Sequence, residues 1–408
     1  MPTASDITLP RNERNHDIEC LRAIAVIGVA FHHMQGNLFR PGLPLIGRLL
    51  MHADFWFGVD LFFAISGFVI ARSLLPQMAV SGRTLREQAA VIGAFWIRRF
   101  WRLLPSAWLW LGLIMLASVA CNRSGAFGSI HANLMATLAG MFDVANFRFA
   151  DAFFRYEYGA SFVYWSLSLE EQFYLLMPLL VAALRRRIDL LMIALFVIQL
   201  CLFRTPLLMS VRTDALALGV LLAIAAPSKI YAALNPRFLL RMRSLRMLLP
   251  CLLLAVLAML TSANLQDWRF RISAIATLSA LLVWIASYNE NYLLQDGWFK
   301  RVLVWIGARS YAIYLIHVPV YFLLRELFFR FGNQAGTPPT PPAWLLFLLA
   351  VVLIALLADL NYRYLEQPLR QHGRHIADRF RRRWTPACTT VEATVAAPLP
   401  ASSAEQPT

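Results

Sequence analysis

Lysine is almost missing from this 408-residue chain: it occurs only at Lys229 and Lys300, so nearly all of the 38 basic residues are arginine. Charge is thin overall, at 15% of residues against 59% hydrophobic ones, whereas a soluble domain carries about 25% charged residues. That shortage excludes a soluble globule. Cysteine helps no more: Cys20, Cys121, Cys201, Cys251 and Cys388 are odd in number, scattered and without a CxxC pair, which excludes a disulfide framework and a zinc ribbon. Also absent are G-x-x-x-x-G-K-[ST], G-x-S-x-G, H-E-x-x-H and H-x4-D, so a phosphate loop, a serine-hydrolase elbow and the common zinc patterns are removed. No metal site is expected. Residues 1–17 are polar and carry both signs of charge, unlike a cleavable signal peptide, so the apolar run after them is expected to stay as a membrane span.

Long apolar runs are what the chain has. Stretches of roughly 20 residues, enough to cross about 30 Å of hydrocarbon, lie near 18–37, 55–75, 103–121, 163–184, 188–204, 213–228, 247–263, 271–288, 302–324 and 343–362. A further stretch, 131–147, is broken by Gly140 and Asp143 and reads as a span, a re-entrant hairpin or an interfacial helix. If it does not cross and the amino terminus is inside, the basic loops 83–102, 185–187 and 229–246 and the tail from Arg363 onward all fall in the cytoplasm, as the positive-inside rule asks. The expected fold is therefore all-α: a polytopic integral membrane helix bundle of about ten spans, both termini cytoplasmic, with no soluble domain. Residues 1–17 form a cytoplasmic tail, 18–370 the membrane domain, and 371–408 a basic and then disordered tail, since the composition after Trp384 is Ala, Pro, Ser and Thr. Arginine richness reflects genomic base composition and inner-loop charge, or a fork that grips phosphates bidentately where lysine cannot. Membrane lipids and a polyanionic ligand suit it better than nucleic acid.

The first run, ECLRAIAVIGVAFHHMQGN (19–37), places ionisable groups where lipid would reject them. Such groups face protein or water and mark a site or pathway. Arg22 and His33 are eleven positions apart, about 3.06 helical turns, so they share a face within about 20° and stand about 16 Å apart along the axis. His32 points about 80° away from Arg22. Each residue also has a structural reading, Arg22 snorkelling to lipid phosphates and His33 bonding a neighbouring helix. In the second run, Asp60, Ala64 and Gly67 recur at i, i+4 and i+7, a small-residue stripe suited to close helix approach. Asp60 either fixes the bundle by pairing with a buried arginine or histidine, or it orients and charge-balances His33.

Arg98, Arg99 and Arg102 precede the third run. They form an interfacial collar, or Arg99 and Arg102, one turn apart, clamp a diphosphate. In YWSLSLEEQFYLLMPLL, Ser166, Glu170 and Tyr174 share a helical stripe with Glu171 beside it. Two adjacent glutamates are too costly for lipid exposure and otherwise serve as a cap. Arg212 with Asp214, Tyr311 with Tyr314 and His317, and Glu366 read first as structural pairings.

The order of these motifs resembles the membrane-bound acyltransferase-3 family, polytopic enzymes that O-acylate surface polysaccharides, lipid-linked sugars and some antibiotics. LRAIAVIGVAFHH resembles the first-span arginine with a histidine eleven positions on, and GVDLFFAISGF the second-span signature. RRFWRLLP resembles the paired-arginine loop, WSLSLEEQFYLLMP the serine-leucine-x-x-glutamate element, RTDALALGVLLA the middle signature, and ARSYAIYLIH with YLEQP the closing ones. The likeness runs from about residue 17 to 370. The chain departs in its duplicated histidine, which leaves His32 as an understudy to His33, and no esterase-like domain of the kind some members carry is expected.

The resemblance implies an acyltransferase with no bound cofactor and acyl-CoA, usually acetyl-CoA, as co-substrate from the cytoplasm. The acceptor would be a hydroxyl of a cell-surface or exported carbohydrate or a lipid-linked glycan, and the location a bacterial inner membrane. Arg22, Arg98, Arg99 and Arg102 would hold the nucleotide and phosphate end. His33 would meet the thioester as general base or as transient nucleophile, with Asp60 or Glu170 holding its tautomer. Ser166, Glu171, Arg212, Asp214, Tyr311 and His317 would line the acceptor side or serve the structure. Composition alone equally fits a transporter or flippase of an envelope glycan precursor, although the paired, Gly- or Pro-interrupted spans of two matching halves are not found. A non-catalytic scaffold is the third reading.

Overall fold

A computed structural model describes residues 15–39, 47–48, 51–80, 84–153, 155–332 and 342–384. The tail after Trp384 that was expected to be disordered, most of the proline-rich connector 331–344 and residues 1–14 lie outside them. Among the described residues there is no β-strand, and fourteen helices have eight residues or more, which satisfies the backbone internally as hydrocarbon requires. They are α1 His16–Asn37, α2 Gly58–Met78, α3 Leu85–Ala120, α4 Ile130–Met141, α5 Ala145–Ala152, α6 Tyr164–Leu184 and α7 Ile188–Cys201. There follow α8 Asp214–Ala225, α9 Arg243–Leu260, α10 Arg271–Ser287, α11 Trp298–Ala308, α12 Ser310–Gly332, α13 Ala343–Asn361 and α14 Gln367–Trp384.

Among the described residues six helical segments are long and apolar enough to cross a bilayer, or seven if the bent pair 229–260 counts as one: Gly58–Met78, Leu85–Ala120, Tyr164–Leu184, Pro206–Ala225, Ser310–Phe331 and Ala343–Trp384. The protein is thus an integral, multi-pass membrane protein, but the expected count of about ten spans is not confirmed. Apolar runs in a sequence do not reveal where a helix breaks. α7 and α10 have only 14 and 17 residues. The run 247–263 is one limb of a pair, Lys229–Arg241 and Ser244–Leu260, bent by 115°. The run 302–324 is divided at Arg309 between α11 and α12. Segment 131–147 becomes α4 and α5, of 12 and 8 residues; at about 1.5 Å per residue neither can cross. Between them Asp143 holds a left-handed φ of 53°.

Two packing contacts place the site. α2 and α8 meet through glycine: a β-carbon on Gly67 would overlap the Leu216 carbonyl, and one on Gly219 would overlap the Ala64 carbonyl and the Phe68 amide. The expected Asp60–Ala64–Gly67 stripe is this contact face. α3, with 36 residues, is about 54 Å long and outruns the roughly 30 Å of hydrocarbon, so part of it stands clear of the membrane. There α14 lies along it: Gly373 admits Trp101, Gly93 admits Phe380, and the Trp101 and His372 rings are 4.8 Å apart. The boundary expected at residue 370 therefore falls inside an ordered helix.

Candidate functional site

A cavity of about 770 Å³ enters the bundle among α1, α2, α3, α6, α12 and the α13–α14 junction. Arg22, Arg99, Arg102 and Arg370 line one end, with Glu19 and Glu366. Arg22 is held by Glu19, Nη1 to Oε1 3.1 Å. The Arg99 guanidinium lies over the rings of Tyr174 and Phe95 at 5.0 and 5.4 Å, a cation–π sandwich that uses its faces and leaves its in-plane N–H groups available. Among the described residues neither Arg99 nor Arg102 has a carboxylate or carbonyl acceptor for those N–H groups. Two half-buried guanidiniums with in-plane N–H groups free of such acceptors can receive an anion with several oxygens. A five-residue π-helix, Tyr362–Glu366, joins α13 to α14. It turns Tyr362 and Glu366 into the cavity, and Asn361 Nδ2 donates to Glu366 Oε1 at 2.8 Å.

Further along, the hydroxyls of Ser66 and Tyr174 converge on Glu170 Oε1. At the far end stand Phe62, Ser166 and Tyr314. Ser166 Oγ and Tyr314 OH are 2.7 Å apart, and both reach the Val163 carbonyl, at 3.3 and 3.1 Å. Tyr311 also lines the cavity, and its hydroxyl donates to the Leu103 carbonyl at 2.8 Å.

His33 lies beyond this end and is not among the lining residues. The cavity does not follow the shared Arg22–His33 face to its end: it stops at the Phe62 and Tyr314 rings, which meet edge to face at 6.2 Å. His317, fully buried, stands between Tyr314 and His33, its ring centroid 5.6 Å from the first and 5.2 Å from the second. Hydrogen bonding orders the ring nitrogens. The Ile313 carbonyl can only accept, so His317 Nδ1 donates to it at 3.2 Å. In the neutral ring Nε2 then accepts, and His33 Nδ1, 2.9 Å away, must donate. That leaves His33 Nε2 with a bare lone pair, the nitrogen needed to take a proton or an acyl group.

The partner of His33 is therefore His317, and not Asp60 or Glu170 as expected. Asp60 is engaged elsewhere: Arg212 Nε and Nη2 reach its two oxygens at 2.9 and 3.0 Å. The pair is buried, with Arg212 between the Trp165 and Trp56 rings at 4.9 and 5.6 Å. Asp214 is likewise taken by Arg204 and Ser273, at 2.6 and 2.8 Å. These pairs tie α2, α8 and α10 together and stand off the cavity. Arg98 does not join the other arginines; its charged neighbours are Asp378, Arg374 and Arg381 of α14. Glu171 also stands off the lining, near Asp143 and Arg99. Reading of the sequence passed over Ser66, Arg370 and Asp54. Ser66 lies in AISGF of the second run and Arg370 one turn after Glu366, so both sit within motifs that carry a signal. Asp54, which bonds His32, carries no signal across 22 residues. Among the described residues no group of three or more His, Cys, Asp or Glu side chains is placed to hold a metal ion.

A family model described as an acyltransferase domain matches residues 15–360. The peptidoglycan O-acetyltransferase OatA of Listeria monocytogenes is 27% identical over 399 residues, covering 87% of this chain and 56% of that protein. The O-acetyltransferase OatA of Staphylococcus aureus is 25% identical over 379 residues, covering 87% of this chain and 57% of that protein. The chain thus spans little more than half the length of these relatives. No solved structure matches it.

Proposed function

Because the chain belongs to the acyltransferase-3 family over residues 15–360, we propose that it is a membrane O-acyltransferase. It moves an acyl group from a cytoplasmic acyl-CoA to a hydroxyl of an envelope glycan. The acyl group is acetyl and the glycan a cell-wall carbohydrate by the names of its relatives. One observation carries the reading: a cavity lined by arginines at one end closes, at the other, on the Phe62 and Tyr314 rings, behind which His317 bonds His33. Arg99 and Arg102, with Arg22 and Arg370, hold the phosphates, since planar forks match phosphate oxygens where a point charge would not. The pantetheine arm lies past Glu170 and places the thioester near Ser166 and Tyr314. His33 Nε2 then acts on the acyl transfer, with His317 holding its tautomer as the third group of a triad does. For the two to meet, the Phe62 and Tyr314 rings must part and the thioester must pass His317, which stands between Tyr314 and His33.

The test is transfer of radiolabel. Membranes holding the wild type and supplied with labelled acetyl-CoA should pass label to cell-wall glycan, and membranes holding His33→Ala should not. Equal labelling by both would remove His33 from the chemistry, and no labelling of any glycan by the wild type would remove the reaction.

A further inference from the structure

His32 has no part in the chemistry above, yet it is built like a reacting imidazole. Its Nδ1 lies 2.7 Å from Asp54 Oδ1. A carboxylate accepts, so the neutral ring carries its proton on Nδ1 and presents the Nε2 lone pair. When the ring takes a second proton, Asp54 balances the charge. Asp54 is itself fixed: its side chain accepts from the Phe55 amide at 2.6 Å, its own amide donates to the Ala258 carbonyl at 2.9 Å, and its carbonyl accepts from the Thr261 hydroxyl. The two imidazoles are neighbours, with ring centroids 5.0 Å apart. Successive side chains on a helix diverge by about 100°, so His33 turns to His317 while His32 turns to Asp54. The difference in partners matters. His33 is backed by another imidazole, which fixes a tautomer but brings no negative charge, whereas His32 is backed by an anion and its side chain is 32% exposed.

Resting on the acyl-transfer reading, we propose that His32, positioned by Asp54, is a second catalytic residue that takes the proton of the acceptor hydroxyl, while His33 receives the acyl group. His33 Nε2 bonds to the thioester carbon, the carbon–sulfur bond breaks and the coenzyme leaves as thiolate. The acceptor oxygen then bonds to the acyl carbon as its proton passes to His32 Nε2, and the carbon–nitrogen bond to His33 breaks. His32 gives its proton to the thiolate, so the products are an ester and a free thiol. Asp54 acts only through His32.

The full chain, reconstituted in liposomes, is supplied with acetyl-CoA, tritiated CoA and soluble fragments of cell-wall glycan. Exchange of label between CoA and acetyl-CoA without glycan reads the first half, and acetylation of the glycan reads the whole. His32→Gln should lose about a hundredfold in transfer while its exchange stays within about twofold of wild type. Asp54→Asn should lose about tenfold in transfer, and Asp54→Glu should regain most of it. His33→Gln should lose both. Because Asp54→Asn keeps the ring, it repeats the test if His32→Gln does not fold. Transfer unchanged in His32→Gln, exchange falling in step with transfer, or wild-type transfer without exchange each overturns the division of labour. Wild-type exchange without transfer removes the glycan and with it the role of His32, and a wild type that does neither removes the acyl-transfer reading itself.

Discussion

His317 is the residue whose role rests most directly on geometry. It spends one nitrogen on the Ile313 carbonyl and the other on His33, so its tautomer dictates that of its neighbour. His317→Phe keeps a ring in the buried space but removes the acceptor, and His33 can then hold its proton on either nitrogen. Turnover should fall by about a hundredfold, with the KM for acyl-CoA within about twofold because the arginine end is untouched. His317→Gln, whose amide oxygen can accept from His33 Nδ1, should recover part of the rate. Steady-state kinetics on the three proteins decide this: a KM that moves with kcat, or equal rates for Phe and Gln, would show that His317 only fills space.

At the scale of elements, what was legible was what repeats within one helix. The Arg22–His33 stripe lies on an unbroken stretch of α1, since non-helical angles begin only at Gln35, and the Asp60–Ala64–Gly67 stripe is the face that meets α8. What was not legible depends on residues far apart or on helix ends. The His33–His317 bond joins positions 284 apart, and the break at Arg309 leaves no gap in the apolar run 302–324. The α2–α8 contact also yields a prediction independent of any chemistry. Gly219 faces the Ala64 carbonyl and the Phe68 amide, rigid backbone that a flexible rotamer cannot avoid. Gly219→Val should cost about 1–3 kcal/mol, whereas Gly112→Ala, on α3 with open space around it, should cost under about 0.5 kcal/mol. Thermal unfolding in detergent distinguishes them, and equal midpoints would mean that the helices do not approach this closely.

For the whole molecule, the arrangement is polar along α1. Arg22 in its first half faces the cavity with Arg99, Arg102 and Arg370, and His32 and His33 lie near its end, with α14 adding further arginines beside α3 at the same side as the cavity mouth. A bilayer attracts such basic segments to its cytoplasmic face. If the acyl donor enters there, access is one-sided: a coenzyme with several phosphate charges cannot cross hydrocarbon, where a single charge already costs several kcal/mol. Inverted membrane vesicles, which expose the cytoplasmic face, should therefore consume added acetyl-CoA, and sealed right-side-out vesicles should do so only after permeabilisation. Substituting both Arg99 and Arg102 by Ala should raise the KM for acetyl-CoA in inverted vesicles by at least about tenfold, since each charge-assisted contact contributes about 1.5–3 kcal/mol, while the glycan KM stays put. Equal consumption by both sealed preparations would place the basic mouth on the wrong side or uncouple it from the donor, and a glycan KM that rises with that of acetyl-CoA would assign these arginines to the acceptor.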